Sequence, residues 1–306
     1  MVREKSLLSS IRAICKSSAG LEFFFPNQSF KFARFLKGTN WIAKHFSITS
    51  KKLGKTRYYS VCLCLNQIMY AKHKMLLDNI RKREENDSTL GNPKIDKEEM
   101  YSSCLELFVK KYDFEGALSK YLHAYDTQSA NHEDIFVIGP IGLGLDIDPK
   151  LSGVYVCMAG GTGAYCFLDF VAYILRYMVS QINKQLDLTE NSIDADEEFS
   201  DIGEDFCLVY MSSFSDKDNG VYTDVCSELQ RLDNKYNLNR FKFINRFSDS
   251  QPKQPRWSTG FIKEQLGVFT GKISKVFLCG PTPFLDDSQE NLLSSGLVSK
   301  EQIRFV

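Results

Sequence analysis

The chain has 306 residues, and its 38 Lys and Arg balance its 38 Asp and Glu, so the formal net charge is zero. This length predicts about two domains, and a neutral chain offers no overall positive field that would attract nucleic acid or an acidic membrane. Nine cysteines occur without paired spacing, which favours a reducing compartment over a disulfide framework. With four histidines in the chain, we expect no metal site.

The first twenty residues hold four Lys or Arg and several serines against a single acid, Glu4. This composition weakly resembles a transit peptide, and a solvated lead-in to the first strand is the alternative. We expect no membrane span, because the most apolar stretch, residues 154–179, is interrupted by glycines and carries Asp169 and Arg176. The expected location is intracellular, cytoplasmic or at an organelle surface, with mitochondrial targeting left open.

Residues 21–65 predict an antiparallel β-structure. Runs rich in aromatic and β-branched residues are separated by Pro26, Gly38 and Gly54, which typically mark turns. The predicted strands are Leu21–Phe25, Phe30–Leu36, Trp41–Thr49 and Arg57–Leu65. Short strands in series favour a small barrel.

Residues 66–100 are strongly charged, and they predict an exposed helix over Met69–Arg83 followed by a loop. We interpret them as a solvated insertion in the first domain, and an arm that docks on a partner is the alternative. A strand at Leu105–Lys111, a short helix over residues 115–122 and a strand at Glu133–Ile138 complete this part of the chain.

From Val154 onward, strands alternate with helices. Strands are predicted at residues 154–159, 206–210, 241–247, 275–278 and 302–306, and helices at 167–185, 221–236, 260–266 and 288–295. This alternation predicts a parallel sheet with right-handed crossovers. An acidic loop over residues 186–205 interrupts it and is interpreted as solvated.

Three of these strands end in loops that suit ligand binding: Gly160-Gly-Thr-Gly163, Met211-Ser-Ser213 and Cys279-Gly-Pro281. In an open parallel sheet, all three loops lie at the carboxyl edge, where ligands bind. A glycine turn between a strand and a helix also brings a phosphate or a nicotinamide against the backbone N–H groups of the helix N-terminus.

Two of these loops, Gly160–Gly163 and Cys279–Pro281, belong to an ordered series of short motifs. In chain order the motifs are Arg57-x-Tyr59-Ser60, Gly116-x-x-Ser119, Gly139-Pro140-x-Gly142, Gly160-Gly161-Thr162-Gly163 and Cys279-Gly280-Pro281. In this order they resemble the ferredoxin–NADP reductase superfamily, and the chain is most similar to its NADH–cytochrome b5 reductases. The resemblance covers about residues 21–306.

The resemblance implies two domains after the lead-in of residues 1–20. An antiparallel FAD-binding barrel is expected at residues 21–148, with the charged insertion at 66–100. A Rossmann-like parallel sheet with helices on both faces is expected at residues 149–306, where it binds the nicotinamide nucleotide.

The resemblance also implies roles for residues of the first domain. Arg57 offers a planar, permanently charged group for an FAD phosphate. Tyr59 lies near the flavin, and Ser60, a catalytic position, donates a hydrogen bond toward flavin N5. Gly116 opens a helix whose N-terminus favours a pyrophosphate, and Ser119 adds a hydroxyl. Gly139 and Gly142 complete the residues expected to bind FAD.

In the second domain, Gly160, Gly161, Thr162 and Gly163 are expected to approach the nicotinamide nucleotide. Cys279, the second catalytic position, is expected to face the nicotinamide and the flavin together with Gly280 and Pro281, and to shape the hydride path without acting as a nucleophile. The chain departs from the family at Ala164-Tyr165-Cys166, where a small aliphatic residue and then Thr-Pro are usual. Nicotinamide docking is the step that this departure affects.

The loop after the strand at residues 206–210 is expected to select the nucleotide. Asp218 lies where the family contacts the adenosine ribose, and a carboxylate there accepts from a 2′-hydroxyl and repels a 2′-phosphate. NADH is therefore the expected donor, although Lys217 lies in the same loop.

The expected function is hydride transfer from NADH to FAD, followed by transfer of single electrons to a haem or iron–sulfur protein such as a cytochrome. One alternative is an NADPH-dependent module of the ferric reductase or oxidase type. The other is a reductase-like subunit without catalysis, which Tyr165, Cys166 and the two charged insertions would suit.

Overall fold

The computed structural model describes residues 2–5, 7–15, 18–24, 41–85, 104–125, 135–186, 202–249 and 257–306. The predicted strand Phe30–Leu36, most of the acidic loop and the second half of the charged insertion lie outside these residues. The described helices are α1 (Gln67–Glu84), α2 (Leu118–His123), α3 (Tyr165–Gln185), α4 (Thr223–Tyr236), α5 (Thr259–Leu266) and α6 (Thr282–Ser295). None of them is long and apolar enough to cross a membrane.

The chain divides into two compact units. Unit 1 comprises Met1–Met69 and Ile95–Ile147, and unit 2 comprises Tyr70–Lys94 and Asp148–Val306. The strands of unit 1 are β1 (Val2–Lys5), β2 (Leu7–Cys15), β3 (Ser18–Phe24), β4 (His45–Ser50), β5 (Lys55–Ser60), β6 (Cys104–Lys110) and β7 (Ile135–Ile141). Those of unit 2 are β8 (Gly153–Gly160), β9 (Phe206–Phe214), β10 (Phe241–Phe247), β11 (Ile273–Cys279) and β12 (Ile303–Phe305).

Unit 1 contains two antiparallel sheets, ordered β1-β7-β4-β5 and β2-β3-β6. Immediately after β5, Val61 forms an antiparallel β-bridge with Leu107 of β6. Strands β1 and β2 (Val2–Lys5 and Leu7–Cys15) lie in the segment that was expected to precede the first domain. Strand β1 pairs with β7 from the far end of the unit, a long-range pairing that local sequence patterns do not indicate.

Unit 2 is built on a five-stranded parallel sheet ordered β10-β9-β8-β11-β12. The chain runs outward from β8 to β10 and then returns to pair β11 with the other edge of β8. The strand order therefore reverses between β8 and β11, which is the position where open α/β sheets bind ligands. The predicted fold class, an antiparallel part followed by a parallel sheet with helices, is confirmed.

Alternating side chains cover both faces of this sheet. On one face, Val156 and Met158 of β8 lie in a buried cluster with Ile262 of α5 and Leu292 of α6. On the other face, the ring of Phe206 stacks on Tyr155 with centroids 5.1 Å apart and meets Phe170 of α3 edge-on at 5.9 Å. Helix α3 is buried along most of its length.

The interpretation of the charged insertion as solvated is corrected by the packing of helix α1. The helix itself is confirmed, but it packs within unit 2, and Leu76, Leu77 and Ile80 are buried. Several of its polar contacts are with α4: Tyr70 donates to both carboxylate oxygens of Asp224 at 2.9 and 2.7 Å. Ion pairs join Arg81 to Glu228, and Glu84 to Arg231 and Lys235, at 3.1–3.2 Å.

Candidate functional site

The ends of β8 and β11 meet at the carboxyl edge of the parallel sheet. Glycine is required there because an added Cβ atom would come too close to neighbouring atoms. A Cβ atom on Gly163 would lie 2.2 Å from the carbonyl oxygen of Cys279, and one on Gly280 would lie 3.1 Å from the Cα of Gly160. The ring of Phe284, on α6, also lies against these two glycines. Its nearest ring carbon would be 2.8 Å from a Cβ atom added to either Gly160 or Gly280. The two predicted loops therefore converge on each other.

Gly161 differs from its neighbours, because open space surrounds the position of its missing Cβ. Its φ of +56° lies in the left-handed region that favours glycine. Residues Gly161–Ala164 form a 3-10 turn that leads directly into α3, and Thr162 is partly exposed. A turn of this kind presents backbone N–H groups at the N-terminus of a 21-residue helix, which suits an anionic group.

Tyr165 and Cys166, which differ from the residues that the resemblance leads one to expect, begin α3. Tyr165 is buried, with 4% of its surface exposed, and Cys166 is 6% exposed. The sulfur of Cys166 lies 3.3 Å from that of Cys279 at the end of β11. This contact and burial raise the pKa of the Cys279 thiol well above its usual value. The pair could not be recognised in the sequence, because the two cysteines are 113 residues apart.

The loop after β9 is organised by Asp216. Its carboxylate accepts the backbone N–H of Asn219 at 2.9 Å and the side-chain amide of the same residue at 2.8 Å. Asp218, the predicted ribose ligand, is exposed in this loop, as is Lys217. The structure thus gives the two acids different positions: Asp216 holds the loop, and Asp218 faces solvent.

A further cation near this loop was missed by the sequence analysis. Arg246 lies near the carboxyl end of β10, beside Ser213 in the parallel register, and its guanidinium donates to the hydroxyl of Ser213 at 3.4 Å. The loop itself, residues 215–220, contains no arginine. Pairing of β10 with β9 brings one to the loop from the neighbouring strand.

In unit 1, alternate side chains of β5 place Lys55, Arg57 and Tyr59 on one face of the strand. Arg57 is exposed, and Tyr59 is partly buried. Burial raises the pKa of Tyr59 to about 12, although the nearby charge of Arg57 acts in the opposite direction. Ser60 is on the opposite face and pairs with His45 of β4.

Lys55 joins two of the predicted motifs. Its ammonium group donates to the carbonyl of Gly116 at 2.5 Å, so the turn that precedes α2 lies against the face of β5 that carries Arg57. Gly116 itself has a φ of +70°. Lys55 was not among the predicted site residues. Its position two residues before Arg57 could have indicated it, because alternate residues of a strand lie on the same face.

The remaining predicted residues of unit 1 have structural contacts. The buried hydroxyl of Ser119 accepts the backbone N–H of Tyr112 at 3.2 Å. A Cβ on Gly139 would lie 2.4 Å from the ring of Phe46, so the close approach of β7 to β4 requires glycine. Gly142 follows with a φ of +94°.

The predicted residues therefore form two groups. Arg57, Tyr59, Ser60, Gly116, Ser119, Gly139 and Gly142 lie in unit 1, and Gly160, Gly161, Thr162, Gly163, Asp218, Cys279, Gly280 and Pro281 lie in unit 2. The glycine turn and the Cys279 loop are in contact within unit 2, and the strand and turn motifs are joined by Lys55 within unit 1.

The sequence matches no family model and no curated protein, but solved structures match the fold. The CS-b5R domains of human Ncb5or, in their NAD+ form, match with a TM-score of 0.61 at 16% identity, covering 99% of this chain and 69% of that chain. The cytochrome b5 reductase domain of Ulva prolifera nitrate reductase matches with a TM-score of 0.58 at 15% identity, covering 100% of this chain and 97% of that domain.

A third similar structure is a mutant ferredoxin–NADP+ reductase from Plasmodium falciparum, with 2′P-AMP. Its TM-score is 0.54 at 14% identity, and the match covers 100% of this chain and 95% of that chain. All three comparisons extend over both units. The chain therefore has the fold that these reductase structures share.

Proposed function

We propose that the protein is a flavin-dependent oxidoreductase that passes hydride from NADH to FAD and then single electrons to a haem or iron–sulfur protein. The observation that carries this proposal is the convergence of the Gly160–Gly163 turn on the Cys279 loop at the point where the strand order of unit 2 reverses. Residues 21–148 are proposed as the FAD-binding domain and residues 149–306 as the nicotinamide-binding domain.

The residues of unit 1 fit the FAD that the proposal requires. The face of β5 offers two cations, Lys55 and Arg57, beside the partly buried ring of Tyr59, and the Gly116 turn adjoins it. Cations suit a pyrophosphate, and an aromatic ring with a raised pKa stays neutral beside a flavin. Ser60 is the proposed hydrogen-bond donor to the flavin ring. When bound, FAD accepts hydride and releases electrons singly, which supplies the redox chemistry.

The residues of unit 2 fit a nicotinamide nucleotide. Gly161 and Thr162 offer a turn with open space at a helix N-terminus, where the dinucleotide phosphates are proposed to bind. Cys279 and Gly280 are proposed to orient the nicotinamide ring, since they end β11 beside that turn. The role of these residues is to position the donor, because effective orientation supplies much of the rate of such a transfer.

We propose NADH as the donor because Asp218 is exposed in the loop after β9, where its carboxylate disfavours a 2′-phosphate. NADPH is the second candidate, and Arg246 is the observation that favours it. A guanidinium at the end of β10 offers the planar donor group that recognises phosphate. The one-electron acceptor is proposed by class, since similar structures are named for cytochrome b5 and for ferredoxin.

The experiment that tests this function is the visible absorption spectrum of the purified protein, recorded anaerobically before and after NADH. A flavin spectrum that bleaches on addition of NADH supports the proposal. A flavin spectrum that NADH leaves unchanged contradicts it and favours the non-catalytic subunit, and failure to bind added FAD contradicts the assignment of unit 1. Comparison of bleaching rates with NADH and NADPH decides between the two donors.

A further inference from the structure

The sulfur atoms of Cys166 and Cys279 are unusually close for two thiols that begin a helix and end a strand. They lie 3.3 Å apart, whereas a disulfide has a sulfur–sulfur distance of about 2.05 Å. The backbones that carry them already touch, because Gly163 lies against the carbonyl of Cys279. Bond formation therefore requires an approach of the sulfurs by about 1.3 Å and no docking of distant segments.

A second thiol pair in the described chain provides a contrast. Cys62 and Cys64 have sulfurs 3.6 Å apart, but both residues are buried, at 0% and 1% exposure. Cys279 is instead partly exposed at the carboxyl edge of the parallel sheet. A small oxidant in solution can therefore reach the Cys166–Cys279 pair more readily than the Cys62–Cys64 pair.

We infer that Cys166 and Cys279 form a reversible disulfide and that this disulfide controls the binding of the nicotinamide nucleotide in unit 2. With hydrogen peroxide as the oxidant, one thiol is oxidised to a sulfenic acid, and one water is released. The second thiol then attacks that sulfur, the S–S bond forms, and the sulfenic hydroxyl leaves as a second water. Overall, two thiols and one peroxide give one disulfide and two waters, and a dithiol reductant reverses the change.

The pH dependence of the oxidation follows from the site. The thiolate is the reactive form of cysteine, and the contact between the two thiols together with burial raises the pKa of Cys279. The Cys279 thiol therefore reacts slowly with peroxide at neutral pH, and its oxidation accelerates as the pH rises from 7 to 9.

The functional consequence rests on the proposed function. A disulfide would fix the first turn of α3 to the end of β11, beside the turn where the nicotinamide nucleotide is proposed to bind. A misplacement of about 1 Å can slow an oriented reaction by about 100-fold. We therefore expect the oxidised protein to retain its flavin while its reduction by NADH slows by about 10- to 100-fold.

The test begins with chemistry that does not depend on activity. The full-length protein is reduced with dithiothreitol, desalted, treated with hydrogen peroxide, blocked with N-ethylmaleimide and digested without reduction for mass spectrometry. The expected result is a linked pair of peptides that contain Cys166 and Cys279. Cys166→Ala must lose this pair, whereas Cys207→Ala, which removes a buried thiol from the neighbouring strand β9, must keep it. Failure to find the linked peptides in the wild-type protein would overturn the inference.

The second measurement compares the rate of flavin bleaching by NADH before and after peroxide, with each variant referred to its own reduced form. The expected result is slowing in the wild type and in Cys207→Ala, recovery with dithiothreitol, and no slowing in Cys166→Ala. If the linked peptides form but the rate of flavin bleaching by NADH is unchanged, the inference that the disulfide controls nicotinamide binding is wrong. If NADH bleaches neither form, the proposed function fails, and the peptide mapping still decides whether the disulfide forms.

Discussion

Arg57 lies exposed on β5, on the face that it shares with Lys55 and Tyr59. If its guanidinium binds an FAD phosphate, Arg57→Ala removes a charged hydrogen bond, which contributes about 1.5–3 kcal/mol. The Kd for FAD is then expected to rise by about 10- to 150-fold. Titration of the flavin-free protein with FAD, followed by quenching of flavin fluorescence, measures this change.

The matched control is Lys52→Ala, which removes another exposed cation from unit 1. Lys52 lies near the ring of Tyr121, 5.8 Å from its centroid, and we assign it no part in FAD binding. Its FAD affinity is expected to equal that of the wild type. Equal affinities in Lys52→Ala and Arg57→Ala would exclude Arg57 from the FAD site.

Asp218 provides a prediction on nucleotide choice, because Asp216 is already occupied in holding the loop. Asp218→Ala removes an exposed negative charge that would repel a 2′-phosphate. The ratio of kcat/KM for NADPH to that for NADH is expected to rise by about tenfold, which corresponds to about 1.4 kcal/mol. Steady-state reduction of ferricyanide with each nucleotide measures this ratio.

Asp286→Ala, which removes an exposed acid from α6, serves as the control for a change of net charge. Its nucleotide ratio should stay at the wild-type value. A wild-type protein that already prefers NADPH would refute the NADH assignment and direct attention to Arg246.

Between elements, the Gly163 turn approaches the backbone at the end of β11 closely. A Cβ at position 163 would lie 2.2 Å from a backbone oxygen, and backbone shifts forced by an extra methyl group typically cost about 1–3 kcal/mol. Gly163→Ala is therefore expected to lower the thermal midpoint of unfolding and to weaken NAD+ binding. Calorimetry with and without NAD+ measures both effects.

Gly260→Ala is the comparison for this change, because nothing lies within 4 Å of the added Cβ near the start of α5. Replacing glycine by alanine in a helix without strain usually stabilises a protein by about 0.4–1 kcal/mol. The two substitutions should therefore change the thermal midpoint in opposite directions. A Gly163→Ala protein as stable as Gly260→Ala would show that the loops separate without cost.

The docking of α1 within unit 2 is expected to depend on pH through His73. This residue is buried, and its Nδ1 lies 2.7 Å from the hydroxyl of Tyr222. Its Nε2 meets no hydrogen-bond partner within the described residues. Burial, with a contribution from the charge of Arg176, lowers the pKa of His73 from 6.5 to about 3.

The sign of the effect follows from this lowered pKa. Well above pH 6.5 the histidine is neutral in both folded and unfolded chains, and the docked helix has its full stability. As the pH falls below this value, the unfolded chain binds a proton that the folded chain excludes, so stability is lost. At a rate of about 1.36 kcal/mol per pH unit, the loss at pH 5 is about 2 kcal/mol.

His73→Gln removes the titration while keeping a polar side chain near Tyr222. Urea unfolding at pH 7 and pH 5 is expected to show a smaller difference between the two pH values in His73→Gln than in the wild type. His123→Gln alters a histidine of unit 1, whose Nε2 lies 2.9 Å from the carbonyl of Val109, and provides the comparison. An equal pH dependence in the wild type and His73→Gln would exclude His73 as the cause.

The elements of unit 2 could largely be predicted from the sequence, because each strand is a short apolar run followed by a loop and a periodic helix. Helix α1 was located correctly but its surroundings were not. Its charged residues dominate its composition, while the buried positions Leu76, Leu77 and Ile80 already have helical spacing. Its ionic partners, such as Glu228, are about 150 residues away and cannot be identified from local patterns.

The features of the candidate site likewise divide into those that the sequence could predict and those that it could not. The Gly160–Gly163 turn and the Cys279 loop could be predicted to converge, because parallel strands end at a common edge. The pairing of Cys166 with Cys279, the contact of Lys55 with Gly116, and the approach of Arg246 to Ser213 depend on strand order, register and side-chain rotamers. None of these follows from residue spacing, so each required the folded chain.

At the scale of the whole molecule, the two units make distinct predictions about ligand-induced protection. A ligand stabilises the unit that binds it, by about 2.7 kcal/mol at a concentration of 100 times its Kd, and local stability governs hydrogen exchange. FAD is therefore expected to slow amide exchange around β5 and the Gly116 turn. NAD+ is expected to slow exchange in residues 160–166 and at the Cys279 loop.

Hydrogen exchange followed by mass spectrometry of peptides from each unit measures this division, with Arg57→Ala as the diagnostic variant. In that variant, protection of unit 1 by FAD should fall, whereas protection of unit 2 by NAD+ should match the wild type, because Arg57 belongs to unit 1 alone. NAD+ cannot reduce the flavin, so it reports binding without turnover. Loss of both protections in Arg57→Ala would mean that the two binding sites are not separable, and the assignment of one cofactor to each unit would then be wrong.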